Sequence, residues 1–349
     1  MTVRAITVQP GVSGSAELTE LDQPSGDGDV LVRARAMGVC GTDAEIVGGK
    51  YGWAPPGRDR LVLGHESLGE VVSAPAGASV GAGELVVGIV RRPDPVPCPP
   101  CADGEWDMCR NGRYTERGIK ELDGYGAEQW CVEQDFVVAL DPSLRDVGVL
   151  LEPASVVAKA WDHIERIGHR ATWHPHRVLV TGAGPIGLLA ALLGTQRGYD
   201  VHVLDRVTEG PKPGLVRDLG ATYHSTTVAD ACDQADIVVE CTGVGQLVFD
   251  AMTCTAPGAV VCLTGVSSGG RTIAVDAGAI NRELVLDNGV VFGSVNANRA
   301  HYAAAADALA KADRDWLARL ITRRVPLDRW KDALERRPDD VKVVVDFTA

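Results

Sequence analysis

No apolar run in the chain approaches the roughly 18–20 residues needed to cross a bilayer, so no membrane span is expected. The first residues, Met-Thr-Val-Arg-Ala-Ile-Thr-Val, lack the apolar core and cleavage site of a secretory signal. Basic residues are in deficit, with 34 Lys and Arg against 47 Asp and Glu, a formal charge of −13. That balance argues against nucleic acid or an anionic membrane as the main partner, because both recruit a basic footprint. The nine cysteines are too sparse among 349 residues, and odd in number, for a disulfide framework. Internal repeats and low-complexity segments are also missing. These absences predict a soluble, cytosolic protein whose cysteines are metal ligands, reactive thiols or core residues. A composition 45% hydrophobic and 23% charged excludes a largely disordered chain, and the length favours two domains.

What is present divides by texture. The first 150 or so residues are rich in Gly and Pro, with short β-type runs at 30–35, 69–72, 86–90 and 130–133. Turn-separated runs of this kind predict an irregular, mostly antiparallel β domain. The stretch 91–118 has prolines, three cysteines, many charges and no periodicity, so it needs a staple, and metal is the available one. From about 155 the pattern alternates. Strands are expected at 177–182, 201–205, 236–241, 259–265, 284–286 and 290–293, with a buried helix from Ile186 to Gln196. Alternation of this type implies parallel βαβ units. An amphipathic stretch over 300–320 then leads to a last strand beginning at Lys342, which should pair with the first domain. The expected division is 1–154 with 299–349, and 155–298.

Gly182, Gly184 and Gly187 form a GxGxxG pattern between a strand and a helix, with Pro185 and Ile186 inside it. The first glycine permits the tight turn, the second lets a pyrophosphate approach the backbone, and the third allows close helix–strand packing. Free N–H groups at the helix start then face the phosphates. An acidic residue should follow at the end of the next strand, and Asp205 stands 23 positions after Gly182. It should accept the adenosine ribose hydroxyls and disfavour a 2′-phosphate, while Arg206 could pair with one. NAD is favoured, with NADP open. His202 on the same strand reads as a packing or surface residue.

Cys40, His65 and Glu66 are suitable zinc donors, although Cys40 or His65 alone would more often be a core residue. Their company, with Asp43, Glu152 and the nucleotide pattern, raises the odds. In this order and spacing, the motifs Cys40-Gly-Thr-Asp43, Gly64-His-Glu66, the cysteine-rich lobe and GxGxxG resemble the zinc-dependent medium-chain dehydrogenase/reductase superfamily along essentially the whole chain. Arg91-Arg-Pro93, the segment Gly104 to Cys109, Tyr114 to Ile119, Leu151-Glu-Pro153 and Gly293 to Asn296 resemble its glucose 1-dehydrogenase branch.

The resemblance implies a Rossmann-type doubly wound parallel sheet plus an irregular, mostly-β (GroES-like) catalytic domain, an α/β chain overall. It implies a catalytic zinc set of Cys40, His65, Glu66 and Glu152, with the two carboxylates able to bind through water or in turn. Asp43 would orient His65 through its far nitrogen. Thr42 would pass the substrate proton toward solvent, and Glu116, Asn296 and Glu152 would bind sugar hydroxyls. The lobe departs from the superfamily's four-cysteine pattern. Cys98, Cys101 and Cys109 are kept, and Asp94 is the candidate fourth ligand of a structural zinc, against a metal-free lobe. The branch implies a homodimer or homotetramer.

Such parts suffice for alcohol oxidation, with zinc easing deprotonation of a hydroxyl and hydride passing to nicotinamide, chemistry usually housed in a cleft between two domains. The leading expectation is oxidation of an aldose such as D-glucose to the lactone with NAD(P). A polyol, threonine or aminosugar/cyclitol dehydrogenase is the alternative, and a non-catalytic NAD(P)-binding protein the remote one.

Overall fold

Alternating apolar residues carry the strand Val30–Val39 through the middle of a seven-stranded sheet, with most of its side chains buried. Its neighbours are Glu66–Ser73 on one side and, on the other, Lys342–Asp346, which runs antiparallel to it with Val343 opposite Val39. The far end of the chain thus completes the sheet begun at its start. The computed structural model describes residues 1–25, 28–267 and 272–349. They divide into two units, Met1–Ser155 with Asn296–Ala349, and Val156–Val295. The core of the first unit gathers Ile6, Met37, Ile46, Leu61, Leu63, Trp330 and Val345, so it too draws on both ends of the sequence. Its segment 91–122 forms a small sheet of Arg91–Arg92, Thr115–Arg117 and Glu121–Leu122, with a one-turn helix Pro99–Ala102.

The second unit is a six-stranded, wholly parallel sheet. Its order across the sheet is Thr222–His224, Asp200–Leu204, Arg177–Thr181, Ala235–Glu240, Thr255–Leu263, Val290–Gly293. Val178, Leu179, Val180, Ile237, Val238 and Val239 are fully buried, as required of central parallel strands covered on both faces. The order reverses between Arg177–Thr181 and Ala235–Glu240, and ligands of such sheets bind beyond the carboxyl ends of the strands at that switch point.

Two expectations change. Leu284 to Leu286 is no strand but the end of a helix, Ala277–Leu286, started by Asp276, which accepts the N–H of Ala279 at 2.9 Å. A three-residue apolar run does not distinguish helix from strand, and here the cap decides. The 300–320 stretch is two helices, Arg299–Lys311 and Arg314–Leu320, because Asp313 caps a new start on Trp316 N–H at 2.8 Å. Among the described residues, no helix is long and apolar enough to cross a membrane.

In the turn at Gly182 the backbone takes φ of 89°, which suits glycine. A Cβ at Gly187 would collide with the carbonyl of Gly182, whereas one at Gly184 meets nothing within 4 Å. Gly187→Ala is therefore expected to cost about 2–3 kcal/mol in urea unfolding and Gly184→Ala under about 1 kcal/mol. Equal costs would mean that the turn is not packed this way.

Candidate active site

The helix Gly41–Val47 begins at Cys40, whose Sγ accepts the Thr42 N–H at 3.3 Å while Asp43 accepts the Cys40 N–H at 2.9 Å. This reciprocal cap fixes where the sulfur points. Cys40 Sγ lies 3.0 Å from His65 Nε2, and Cys40, His65 and Glu66 each place a donor atom within 4.8 Å of the others. A thiolate, an imidazole and a carboxylate at that spacing fit zinc. On the far side of the ring, His65 Nδ1 faces Asp43 Oδ1 at 3.5 Å, and these two buried atoms have no closer hydrogen-bond partner. Burial disfavours the charged imidazole, yet Cys40 and Asp43 on its two sides raise its pKa well above the ordinary value. Metal binding would displace that proton.

Glu66 also has a partner that the sequence alone did not indicate. Lys342 Nζ meets its two oxygens at 2.7 and 2.6 Å, with both side chains buried. Burial lowers the Lys342 pKa, and the neighbouring Glu66 carboxylate outweighs it, so the net shift is upward. Gly38 makes room for this pair, since a Cβ there would strike Glu66 Oε2. Lys342 was missed because a lysine heading an apolar strand usually marks an exposed strand end. Glu152, in the first turn of the helix Leu151–Gly168, is buried but is not among the donor atoms that converge with Cys40, His65 and Glu66. Burial above all pushes its carboxyl up to about 7, aided by the Glu66 charge and opposed by His65 and Lys342.

Glu116 and Asn296, 180 positions apart, meet directly: Asn296 Nδ2 donates to Glu116 Oε1 at 2.7 Å. Asn296 holds a left-handed backbone, φ 63°, while its Oδ1 accepts the N–H of Ala297 at 2.8 Å. After glycine, asparagine is among the residues that adopt this conformation most readily. The same Glu116 oxygen receives Arg91 Nε at 3.0 Å and Nη2 at 2.9 Å, and the guanidinium stacks on Tyr114. The partnership of Arg91 was not legible in the sequence, where it stood only as part of a local motif.

In the lobe, Cys98, Cys101 and Cys109 bring three sulfurs within 4.8 Å of one another. The Cys98 thiol is drawn down to about 7, first by the N–H of Arg110, and burial pushes Cys101 up to about 11. Asp94 does not join the sulfurs. Its carboxylate accepts from Val96 N–H and Asn111 Nδ2, both at 2.8 Å, and from Arg113 Nε at 3.2 Å.

In the second unit, Gly184 caps the helix Pro185–Gln196, with Pro185 at its first position and Ile186 following. Asp205 folds back onto the glycine turn. Its oxygens accept Ala183 N–H at 2.7 Å and Val207 N–H at 3.0 Å, and Lys212 Nζ lies 3.1 Å away. Burial would raise its pKa, but these donors hold it below the usual range. Arg206 is exposed beside it. Lys212, unrecognised from sequence, offsets the charge that would repel a 2′-phosphate.

Comparison with known proteins divides the chain in sequence rather than by unit, with the returning C-terminal segment inside the second match. The family described as alcohol dehydrogenase GroES-like domain matches residues 26–142, and that described as glucose dehydrogenase C-terminus matches 145–347. A glucose 1-dehydrogenase of Methanocella arvoryzae is 40% identical over 99% of this chain and 100% of its own. Another, from Thermoproteus tenax, is 39% identical over 98% and 99%. The solved structure of Haloferax mediterranei glucose dehydrogenase in complex with NADP, Zn and gluconolactone superposes with a TM-score of 0.89, at 32% identity and 99% coverage of both chains.

The buried Glu152 carboxyl carries a pH signature. Its folded-state pKa of about 7 exceeds the ordinary 4.5, so the folded protein keeps a proton that the unfolded chain has lost. Metal-free protein should have this contribution in full below about 4.5 and lose on the order of 3 kcal/mol as pH rises toward 7. Urea unfolding across that window should show the slope, and Glu152→Gln should flatten it. An unchanged slope would mean that the carboxyl titrates normally.

Proposed function

The chain belongs to the zinc-dependent medium-chain dehydrogenase/reductase family, in its glucose dehydrogenase branch, and on that premise we propose that it oxidises the anomeric carbon of an aldose, D-glucose to gluconolactone foremost, passing hydride to NAD(P). The observation that carries this reading is the convergence of Cys40, His65 and Glu66 in the unit that also holds the Glu116–Asn296 pair. Zinc, when bound by Cys40 and His65 with a carboxylate from Glu66 or Glu152, supplies Lewis acidity toward a hydroxyl oxygen. Asp43 keeps the imidazole turned toward the metal side. Thr42, half-buried at the start of its helix, takes the hydroxyl proton onward.

Glu116 presents one oxygen to the sugar, because Arg91 and Asn296 already occupy the other. A polyhydroxy substrate requires such pre-set partners, since each hydroxyl left unpaired on burial costs roughly 1–3 kcal/mol. Gly182, Gly184, Pro185, Ile186 and Gly187 receive the pyrophosphate and Asp205 the adenosine ribose. Arg206 and Lys212 are the cations available to a 2′-phosphate, which supports use of NADP as well as NAD.

The cysteine lobe holds a second, structural zinc through Cys98, Cys101 and Cys109. Asp94 could serve as fourth ligand only by leaving its present hydrogen bonds. On this reading the metal and sugar residues lie in Met1–Ser155 with Asn296–Ala349 and the cofactor residues in Val156–Val295. Among the described residues no cysteine is disulfide-bonded, which supports a reducing cytoplasm.

A homodimer or homotetramer is supported by the edge strand Val290–Gly293, which pairs on one side only, and by Val285 and Leu286 nearby in sequence, 66% and 64% exposed. Sedimentation equilibrium should return two or four chain masses, and a single chain mass at micromolar concentration would refute the assembly.

Cys40→Ala should abolish aldose-dependent absorbance change at 340 nm and lower the zinc content, while leaving cofactor affinity within about threefold. Full activity in that variant would remove Cys40 from the site. Wild-type turnover of secondary polyols but of no aldose would redirect the substrate assignment.

A further inference from the structure

Glu240 ends the strand Ala235–Glu240 and is fully buried. Its Oε1 accepts Thr242 N–H at 2.7 Å, the Thr242 hydroxyl, Thr181 Oγ1 at 3.1 Å and Gly243 N–H at 3.2 Å; Oε2 also accepts from Gly243, at 3.2 Å. Backbone N–H groups and hydroxyls surround both oxygens, and each of them can donate to a carboxylate. The backbone carbonyl of Glu240 works in the same way, accepting Thr264 N–H at 2.8 Å, Gly265 N–H at 3.0 Å and Thr264 Oγ1 at 2.8 Å.

One residue thereby ties together the carboxyl ends of three adjacent strands: Thr181 ends Arg177–Thr181, Thr242 and Gly243 follow Ala235–Glu240, and Thr264 and Gly265 follow Thr255–Leu263. The two loops close tightly over it. Gly243, at φ 63°, has Val266 carbonyl in the space of its absent Cβ, and a Cβ on Gly265 would strike Gly243 N and crowd Glu240 Oε2.

This hub lies at the switch point of the sheet. The glycine turn and Asp205 would hold the pyrophosphate and adenosine on the side of Arg177–Thr181 and Asp200–Leu204. The rest of a dinucleotide crossing the switch point would then extend toward the ends of Ala235–Glu240 and Thr255–Leu263. We propose that Glu240 is a positioning residue for the nicotinamide half of the cofactor and that its buried negative charge biases the site toward the oxidised, cationic ring over the reduced, neutral one. The proposal rests on the NAD(P) reading given above. Physically it separates two effects: the hydrogen bonds shape the loops for either redox form, whereas the charge discriminates between the forms because only one of them is cationic.

The test is direct binding, by calorimetry or fluorescence, of NAD+, NADH, NADP+ and NADPH to zinc-loaded wild type, Glu240→Gln and Glu240→Asp, with urea unfolding to verify each fold. Glu240→Gln should weaken the oxidised forms by about tenfold more than the reduced ones. Glu240→Asp should keep the oxidised-to-reduced ratio within about twofold, even where both affinities fall. An equal change in both forms for Glu240→Gln, or none, would overturn the proposal and leave a merely structural carboxylate. Should Glu240→Gln fail to fold, Thr242→Val decides beside Glu240→Asp. It deletes a donor and spares the charge, so the ratio must hold in both variants, and a shift in either refutes the assignment. Wild-type protein that binds none of the four nucleotides would instead refute the cofactor reading itself.

Discussion

The ion pair between Lys342 and Glu66 governs the arrangement of the metal-binding side chains. A carboxylate and an ammonium buried together tolerate no loss of one partner, because the survivor would remain charged without water. Glu66 is therefore anchored on both oxygens, and it leaves that position only if Lys342 is satisfied in another way. With Glu66 tethered, Cys40 and His65 are the two donors already in direct contact, their orientations set by the helix cap at Asp43 and by Asp43 behind the ring. The Glu152 carboxyl, kept neutral up to about 7 chiefly by burial, is a reserve of negative charge that a cation entering the cluster would draw out.

The same economy recurs around the sugar and cofactor residues. Arg91 pairs with the buried Glu116 through one of its oxygens, as Lys342 pairs with both oxygens of Glu66. Lys212 pairs with Asp205 Oδ2 in the same way. In each case a carboxylate is oriented by the basic residue beside it. Preorganisation of this kind is what allows a site to discriminate between hydroxyl patterns.

Much of this was legible in the sequence because the chemistry is local. Cys40 to Asp43 is a cap as well as a ligand motif, Gly182 to Gly187 is a turn with steric demands, and Asp205 closes a strand. The alternation of apolar runs from Arg177 onward announced a parallel sheet. What stayed hidden was pairing over distance. Lys342 meets Glu66 across 276 positions and Asn296 meets Glu116 across 180, and neither spacing has a periodicity to betray it. Leu284 to Leu286 misled for the opposite reason: three apolar residues satisfy a strand or a helix equally, and the aspartate eight positions earlier carried the decisive information. Asp94 has the right chemistry for a metal, but Asn111 and Arg113 use it as an acceptor within the lobe.

The sheet that carries Cys40 and Glu66 is closed by Lys342–Asp346, and the whole nucleotide unit lies between these segments in the sequence. During translation the nucleotide unit is therefore free to fold while the nascent metal site still lacks the ammonium that neutralises Glu66. Until Lys342 is synthesised, Glu66 lacks the partner it meets in the finished fold. The sheet and its buried ion pair are thus completed by the last stretch of synthesis rather than the first.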